Sequence, residues 1–266
     1  MSPRAAIFVF HDVVPARLLP DVPASHRPYV VTPEELRAFL LAAEGAPRHT
    51  VIASDVPSEL GGAFYSLTFD DGRASDYTEV FPALVERGLR ATFFVVPSLV
   101  GTPGHVTWVW LREMVAAGME VGSHSLTHPF LHRLDATGLR REYGESKVII
   151  EDQLGAAVRA ASLPRGWEPA GLRPILEELS YRVFCTSRVG WWHPGDPPLA
   201  MPRVAVRRGI ETEEFVSILA AEPGALWRLQ ALDMMKTAVK TCVGFEGWQR
   251  LRAPLLALRR GAGGKP

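Results

Sequence analysis

The sequence predicts an α/β chain, a distorted (β/α) barrel of about seven parallel strands followed by a helical C-terminal extension. Three observations predict it. Short apolar, β-branched or aromatic runs alternate with longer segments of helical period, as repeated βα units around a parallel sheet require. Several of the short runs end directly in polar residues, which is where a barrel of parallel strands carries its chemistry. The length, 266 residues, falls within the range that α/β barrels occupy as one unit.

In chain order, strands are expected at Ala6–Phe10, Phe64–Phe69, Ala91–Val96, Met119–Gly122, Val158–Ser162, Val183–Thr186 and Arg203–Val206. Helices fill the gaps. Thr32 caps a helix that starts at Pro33, a residue suited to the first helical position. Asp76–Arg87 stops before Gly88, and Trp108–Ala117 follows Thr107 and stops before Gly118, a glycine placed for the left-handed C-terminal conformation. Asp135–Gln153 and Leu172–Leu179 complete the set. Gly190–Pro202 reads as a loop from its glycines and prolines. The barrel is expected over residues 1–220, and residues 221–266 form a basic helical extension packed on it.

Composition narrows the function classes. Apolar residues make up 47% and charged residues 22%, the balance of a globular protein. Lys plus Arg equals Asp plus Glu at 29 each, so the chain lacks the basic footprint of a nucleic-acid binder. The N-terminal apolar run is too short for a signal-peptide core, and no apolar stretch reaches the roughly 18–20 residues of a spanning helix. Cys185 and Cys242 stand far apart, so no disulfide framework is suggested and both read as small buried hydrophobes. A cytoplasmic location is the resulting expectation.

Two motifs carry chemistry. Ser66-Leu67-Thr68-Phe69-Asp70-Asp71-Gly72 ends a strand in adjacent carboxylates, which repel each other and need a cation if they are buried. An Asp-Asp-Gly turn on its own is also an ordinary surface turn. The second motif, Glu120-Val121-Gly122-Ser123-His124-Ser125-Leu126-Thr127-His128-Pro129, sets two imidazoles four residues apart just beyond another strand. Two imidazoles and one carboxylate make a three-ligand set that leaves positions open for water and substrate.

These motifs resemble the first and second signatures of the polysaccharide deacetylases, carbohydrate esterase family four. The likeness extends through Trp108–Gly118 and His128-Pro129-Phe130-Leu131. It implies that Asp70 is the general base and that Asp71, His124 and His128 hold a divalent metal, zinc foremost, with cobalt, nickel or iron also suited to such ligands. It also implies hydrolysis of an acetamido group on an N-acetylated sugar. The third family motif corresponds to Ser162-Leu163-Pro164-Arg165-Gly166-Trp167, with Pro164 retained but Ser162 where an Arg is expected and Arg165 where a Tyr is expected. That departure leaves open what orients Asp70; Arg203 is a candidate for the missing cation.

The family's later Leu-x-Leu-His element is absent from the C-terminal half, but Ile7-Phe8-Val9-Phe10-His11-Asp12 is similar to it. This order resembles the circularly permuted branch that includes biofilm poly-N-acetylglucosamine deacetylases, and it implies that His11 is the general acid. A structural histidine at a strand end is the alternative. Trp167, Trp191 and Trp192 lie in expected loops, where an indole could stack on a sugar or pack beneath the loop. Pro164, Arg165, Trp167 and Trp192 are therefore the expected substrate and oxyanion contacts.

The basic tail, with leucines and methionines interleaved, suits either an anionic membrane surface or a helical cap with a solvated basic face. Two rival functions stay open. One is deacetylation of a small acylated metabolite or of a lipid-linked sugar precursor. The other is a catalytically silent sugar-binding barrel, which Ser162 in place of Arg would favour. Oligomeric state is not legible.

Overall fold

The computed structural model describes residues 4–46, 48–59 and 64–261. Among the described residues ten strands form: β1 (Ala6–Phe10), β2 (Asp12–Val13), β3 (Val30–Val31), β4 (His49–Thr50), β5 (Phe64–Asp70), β6 (Thr92–Val95), β7 (Glu120–Ser123), β8 (Ala160–Ser162), β9 (Val183–Cys185) and β10 (Val204–Ala205). Helices α1 (Pro33–Glu44), α2 (Phe81–Glu86), α3 (Trp108–Ala116), α4 (Ala136–Leu154), α5 (Leu172–Glu178) and α6 (Thr212–Leu219) surround them, and α7 (Trp227–Gly261) follows. All seven expected strands are present, in the parallel order β10-β1-β5-β6-β7-β8-β9. The sheet curls on itself. Its two ends are bridged by one short stretch, in which Met201 pairs with Cys185 of β9 while Val204 pairs with Phe8 of β1.

Alternation along the strands divides the apolar residues between two layers. Phe8, Phe10, Phe69, Phe93 and Phe184 point outward beneath the helices. Phe10, Phe69 and Phe93 stack across three adjacent strands with ring centroids 5.0 Å apart, and Phe215 of α6 reaches Phe8 at 4.5 Å. The opposite face gives the barrel interior, where Ile7, Phe64, Phe94, Val183, Cys185 and Met201 pack together. Gly122 is required there, because a Cβ would lie 2.6 Å from the Phe94 ring and 2.8 Å from the Ala160 carbonyl.

Local signals fixed most helix ends. Thr32 and Glu35 form a reciprocal capping box on α1, Thr107 caps α3, and Gly88 and Gly118 take the left-handed conformation. The helix expected over 76–87 divides into a π-helical turn, Asp76–Val80, and α2. Pro82, at the start of α2, has no N–H to continue the regular ladder. α7 is also two helices, broken at Gly244 (φ 66°, ψ −176°), a conformation open essentially to glycine alone. No helix among the described residues is long and apolar enough to cross a membrane. Cys185 is buried as expected, but Cys242 is exposed on α7, which contradicts the expectation that both are core residues.

Candidate active site

Both chemical motifs come to the C-terminal end of the barrel. β5 delivers Asp70 at its last position, and the chain then turns through Asp71 at φ 80°. β7 delivers His124, after which Ser125 (φ 64°) and His128 (φ 56°) bend the loop back toward the strand end. Positive φ is costly for these residue types and persists only where surrounding contacts impose it. Those contacts are visible. Glu142 of α4 accepts hydrogen bonds from the Leu126 and Thr127 amides and the Thr127 hydroxyl, while Ser125 Oγ accepts from the His128 amide.

The donors converge. Asp71 Oδ1 lies 3.5 Å from His124 Nε2 and 3.4 Å from His128 Nε2, and the three ligand atoms stand within 4.8 Å of one another. Donors about 2.1 Å from a shared ion at tetrahedral angles stand about 3.4 Å apart, so this spacing fits a single metal. His124 Nδ1 is held by Ser162 Oγ at 2.5 Å, which leaves Nε2 as the ring's free donor toward Asp71. Burial would raise the Asp71 carboxyl, but the hydrogen bond and charge of His124 hold it below its ordinary value. Burial, helped by the neighbouring His124, pushes His128 down to about 3, which keeps it a neutral ligand-type imidazole.

Asp70 is only 2% exposed and pairs with Arg203 through two bonds of 2.8 Å, Nη1 to Oδ1 and Nη2 to Oδ2. Arg203 is itself fixed, donating through Nε to the Thr186 carbonyl and through Nη1 to Thr68 Oγ1. Burial alone would raise the Asp70 carboxyl; the guanidinium overcomes it and holds the group below its usual range. The cation missing from the third motif thus comes from the barrel-closing stretch, 133 residues away in sequence. Ser162 serves His124 instead.

β1 pairs in register with β5, Phe10 opposite Phe69, so His11 stands beside Asp70 and Asp71. Its imidazole lies 5.0 Å from the Tyr29 ring, and its Nδ1 is buried with no hydrogen-bond partner among the described residues. Burial lowers its pKa, partly offset by Asp70 and Asp71. A cavity of ≈ 380 Å³ opens here, lined by His11, Asp71, Leu18, Val22, His26 and Tyr29 among others. The segment between β2 and β3 walls it.

Residues 59–184 match the family model for polysaccharide deacetylase. That stretch, just under half of the chain, is similar to the polysaccharide deacetylases and spans both chemical motifs. A chitooligosaccharide deacetylase of Sinorhizobium fredii is 34% identical over 41% of this chain and 50% of its own length. The peptidoglycan-N-acetylglucosamine deacetylase PgdA of Listeria monocytogenes is 32% identical over 51% of this chain and 28% of that protein. The chain covers 53% of Bacillus subtilis YxkH, at 26% identity, so it spans about half or less of these relatives. Among solved structures, the Streptococcus pyogenes deacetylase PplD superimposes with a TM-score of 0.75 at 20% identity, covering 84% of this chain and 100% of that one. IcaB from Ammonifex degensii gives 0.69 at 22%, covering 83% and 98%. At these identities the structures show a shared fold.

The matched stretch includes Asp70, Asp71, His124, His128 and Ser162 but not His11 or Arg203, which the flanking strands supply. Pro164 is buried in a 3-10 turn after β8. Arg165 (φ 59°) is exposed at the rim; its Nε donates to the His128 carbonyl and its guanidinium covers the Phe130 ring at 4.3 Å. Trp167 is half-buried, 5.5 Å from the Phe245 ring of α7 and 5.6 Å from His132. Trp192 does not reach the site. It is 2% exposed, bridges Ala5 at the start of β1 and packs into the interior at the opposite end of the barrel, so it offers no face to a sugar.

Proposed function

We propose that this chain is a metal-dependent N-deacetylase that removes acetyl groups from an N-acetylated sugar, with a divalent metal held by Asp71, His124 and His128. The observation that carries the reading is the convergence of those three ligand atoms beside a carboxylate locked by Arg203. When bound, the metal supplies Lewis acidity and a water acidic enough to react near neutral pH. Zinc is the foremost candidate, with cobalt, nickel or iron also suited to the donor set.

In this reading Asp70 is the general base. Arg203 occupies one lone pair on each carboxylate oxygen, so each keeps another to accept the water's proton, and the guanidinium keeps the group ionised until it does so. His11, on the neighbouring strand, delivers a proton to the departing amine. Its lowered pKa makes it neutral in the free site, so it must gain that proton within the turnover. Arg165, fixed against the His128 carbonyl at the rim, contributes positive charge and backbone donors near the acyl group, with Pro164 setting the turn and Trp167 forming part of the sugar's approach. The silent-barrel alternative rested on Ser162 standing where an Arg belongs. Arg203 supplies that charge, which removes its main support.

Acetate release is the direct test, using N-acetylglucosamine oligomers, lipid-linked N-acetylglucosamine and a small N-acetylated metabolite. Chelation should abolish release from a sugar substrate, and divalent metal should restore it. No release from any substrate by metal-loaded protein would leave a binding module; release from the small metabolite alone would replace the sugar assignment.

A further inference from the structure

The first half of α7 is amphipathic in an inverted sense. The positions turned toward the barrel are Leu229, Asp233, Lys236 and Lys240, all half-buried at helical spacing. Asp233 Oδ2 accepts from the Val189 amide, and Lys240 Nζ donates to the Gly166 carbonyl. Further on, Glu246 pairs with Arg133 and Phe245 packs on His132. The polar stripe and both acids of the segment are therefore paired with the barrel, Asp233 on the segment after β9 and Lys240 and Glu246 on the loops that carry Arg165 and His128.

The opposite face is apolar and open. Trp227 is 65% exposed, Leu232 50%, Met234 73% and Met235 66%, with Val239 and Val243 also exposed. From Trp227 to Val243 this face runs about 25 Å along the helix. Arg228 is its one charged member among the described residues. Soluble domains rarely leave so large an apolar helical face uncovered unless something docks on it. The sequence beyond supplies the second observation: Gly247–Pro266 contains Arg250, Arg252, Arg259, Arg260 and Lys265 and no Asp or Glu. An apolar face followed in sequence by an acid-free basic run is complementary to an anionic lipid surface. A second copy packed in parallel across a two-fold axis would instead bring two such basic runs together.

We infer that α7 docks on an anionic membrane surface, its apolar face in the headgroup boundary and its basic continuation among the anionic headgroups. The loops of the candidate active site then lie on the helix's other side, close to the bilayer. The binding is independent of the activity proposed above and is read without a substrate.

Co-sedimentation of the full chain with vesicles tests it, comparing phosphatidylcholine alone with phosphatidylcholine mixed with phosphatidylglycerol at low and raised salt. The expected result is binding to the anionic vesicles only, weakened by salt. The double variant Met234→Glu/Met235→Glu should lower partition by roughly tenfold or more with an unchanged thermal midpoint, because both side chains are exposed. Arg250→Ser/Arg252→Ser should weaken it less. Three outcomes would overturn the inference: no binding to anionic vesicles, equal binding by Met234→Glu/Met235→Glu, or equal binding to neutral vesicles. A vesicle-free dimer in analytical ultracentrifugation that the same double variant dissociates would overturn it too, by assigning the face to a second copy.

Discussion

The two ends of the barrel interior are built from the same strands and treat their polar groups in opposite ways. At the N-terminal end, Glu120 accepts from the Ser54 amide and the Thr92 hydroxyl, Thr92 Oγ1 accepts from the Ala53 amide, and Trp192 fills the remaining space. Each of these polar groups has a partner, and the one inward polar atom of β5 without one, Ser66 Oγ, is uncharged. At the C-terminal end, Asp71, Ser125, His128 and Arg165 adopt positive φ, and His11 Nδ1 is buried without a partner. The other non-glycine residues of that kind among the described residues, Ser180 and Ala221, follow α5 and α6, where a left-handed residue ordinarily closes a helix. One end is organised for stability; the other holds strained, unsatisfied groups in position for a ligand.

The largest expected effect lies at the strained end. His11→Ala should bind metal normally and lose roughly 10²–10⁴-fold in amide turnover, the usual range for a general acid. An activated ester, whose leaving group needs little protonation, should be nearly insensitive. Equal losses on amide and ester in folded, metal-loaded protein would make His11 positional.

Trp192→Ala probes the other end. Removing a fully buried indole should cost about 3–5 kcal/mol, read from urea unfolding, while turnover per folded molecule stays near wild type. A selective loss of turnover at full stability would mean that the two ends are not separate. Ser162→Ala should weaken metal affinity by roughly 10–100-fold, because it frees His124 Nδ1 and with it the ring's orientation. Unchanged affinity in a metal titration would reduce Ser162 to packing.

The smallest effect is a slope. Burial, together with Asp12 and Asp71, raises the Asp76 carboxyl well above its ordinary value of 3.8. The native state therefore holds this proton at pH values where the unfolded chain has lost it, and stability falls as pH rises from 3.8 toward the native value. Asp76→Asn removes that loss. In chelator, its stability gain over wild type should grow with pH across that window, and a gain independent of pH would contradict the assignment.

The strands and the two chemical motifs were legible because each is local: a β-branched run ending in Asp70-Asp71, and a His pair four residues apart. What the sequence hid is long-range. Ser162 and His124 meet only because β7 and β8 are neighbours, and no spacing announces that contact. Arg203 was legible as a candidate for the cation beside Asp70, but its two-bond geometry depends on how the barrel closes. Trp192 was misread because the glycines and prolines of Gly190–Pro202 signal a loop, and loop composition says nothing about which indole tertiary closure will bury. The basic, leucine- and methionine-rich tail suits either a membrane surface or a cap with a solvated basic face, and its composition does not show that the barrel takes up Asp233 and Lys240 and leaves the methionines exposed.

Metal content and acetate release measured together on Asp71→Ala and Asp70→Asn test the proposed centre most directly, since these adjacent carboxylates are assigned different tasks. Asp71→Ala should lose metal and activity together. Asp70→Asn should keep stoichiometric metal by elemental analysis while turnover falls roughly 10²–10⁴-fold. Stoichiometric metal in folded Asp71→Ala, or its loss from folded Asp70→Asn, would contradict the account.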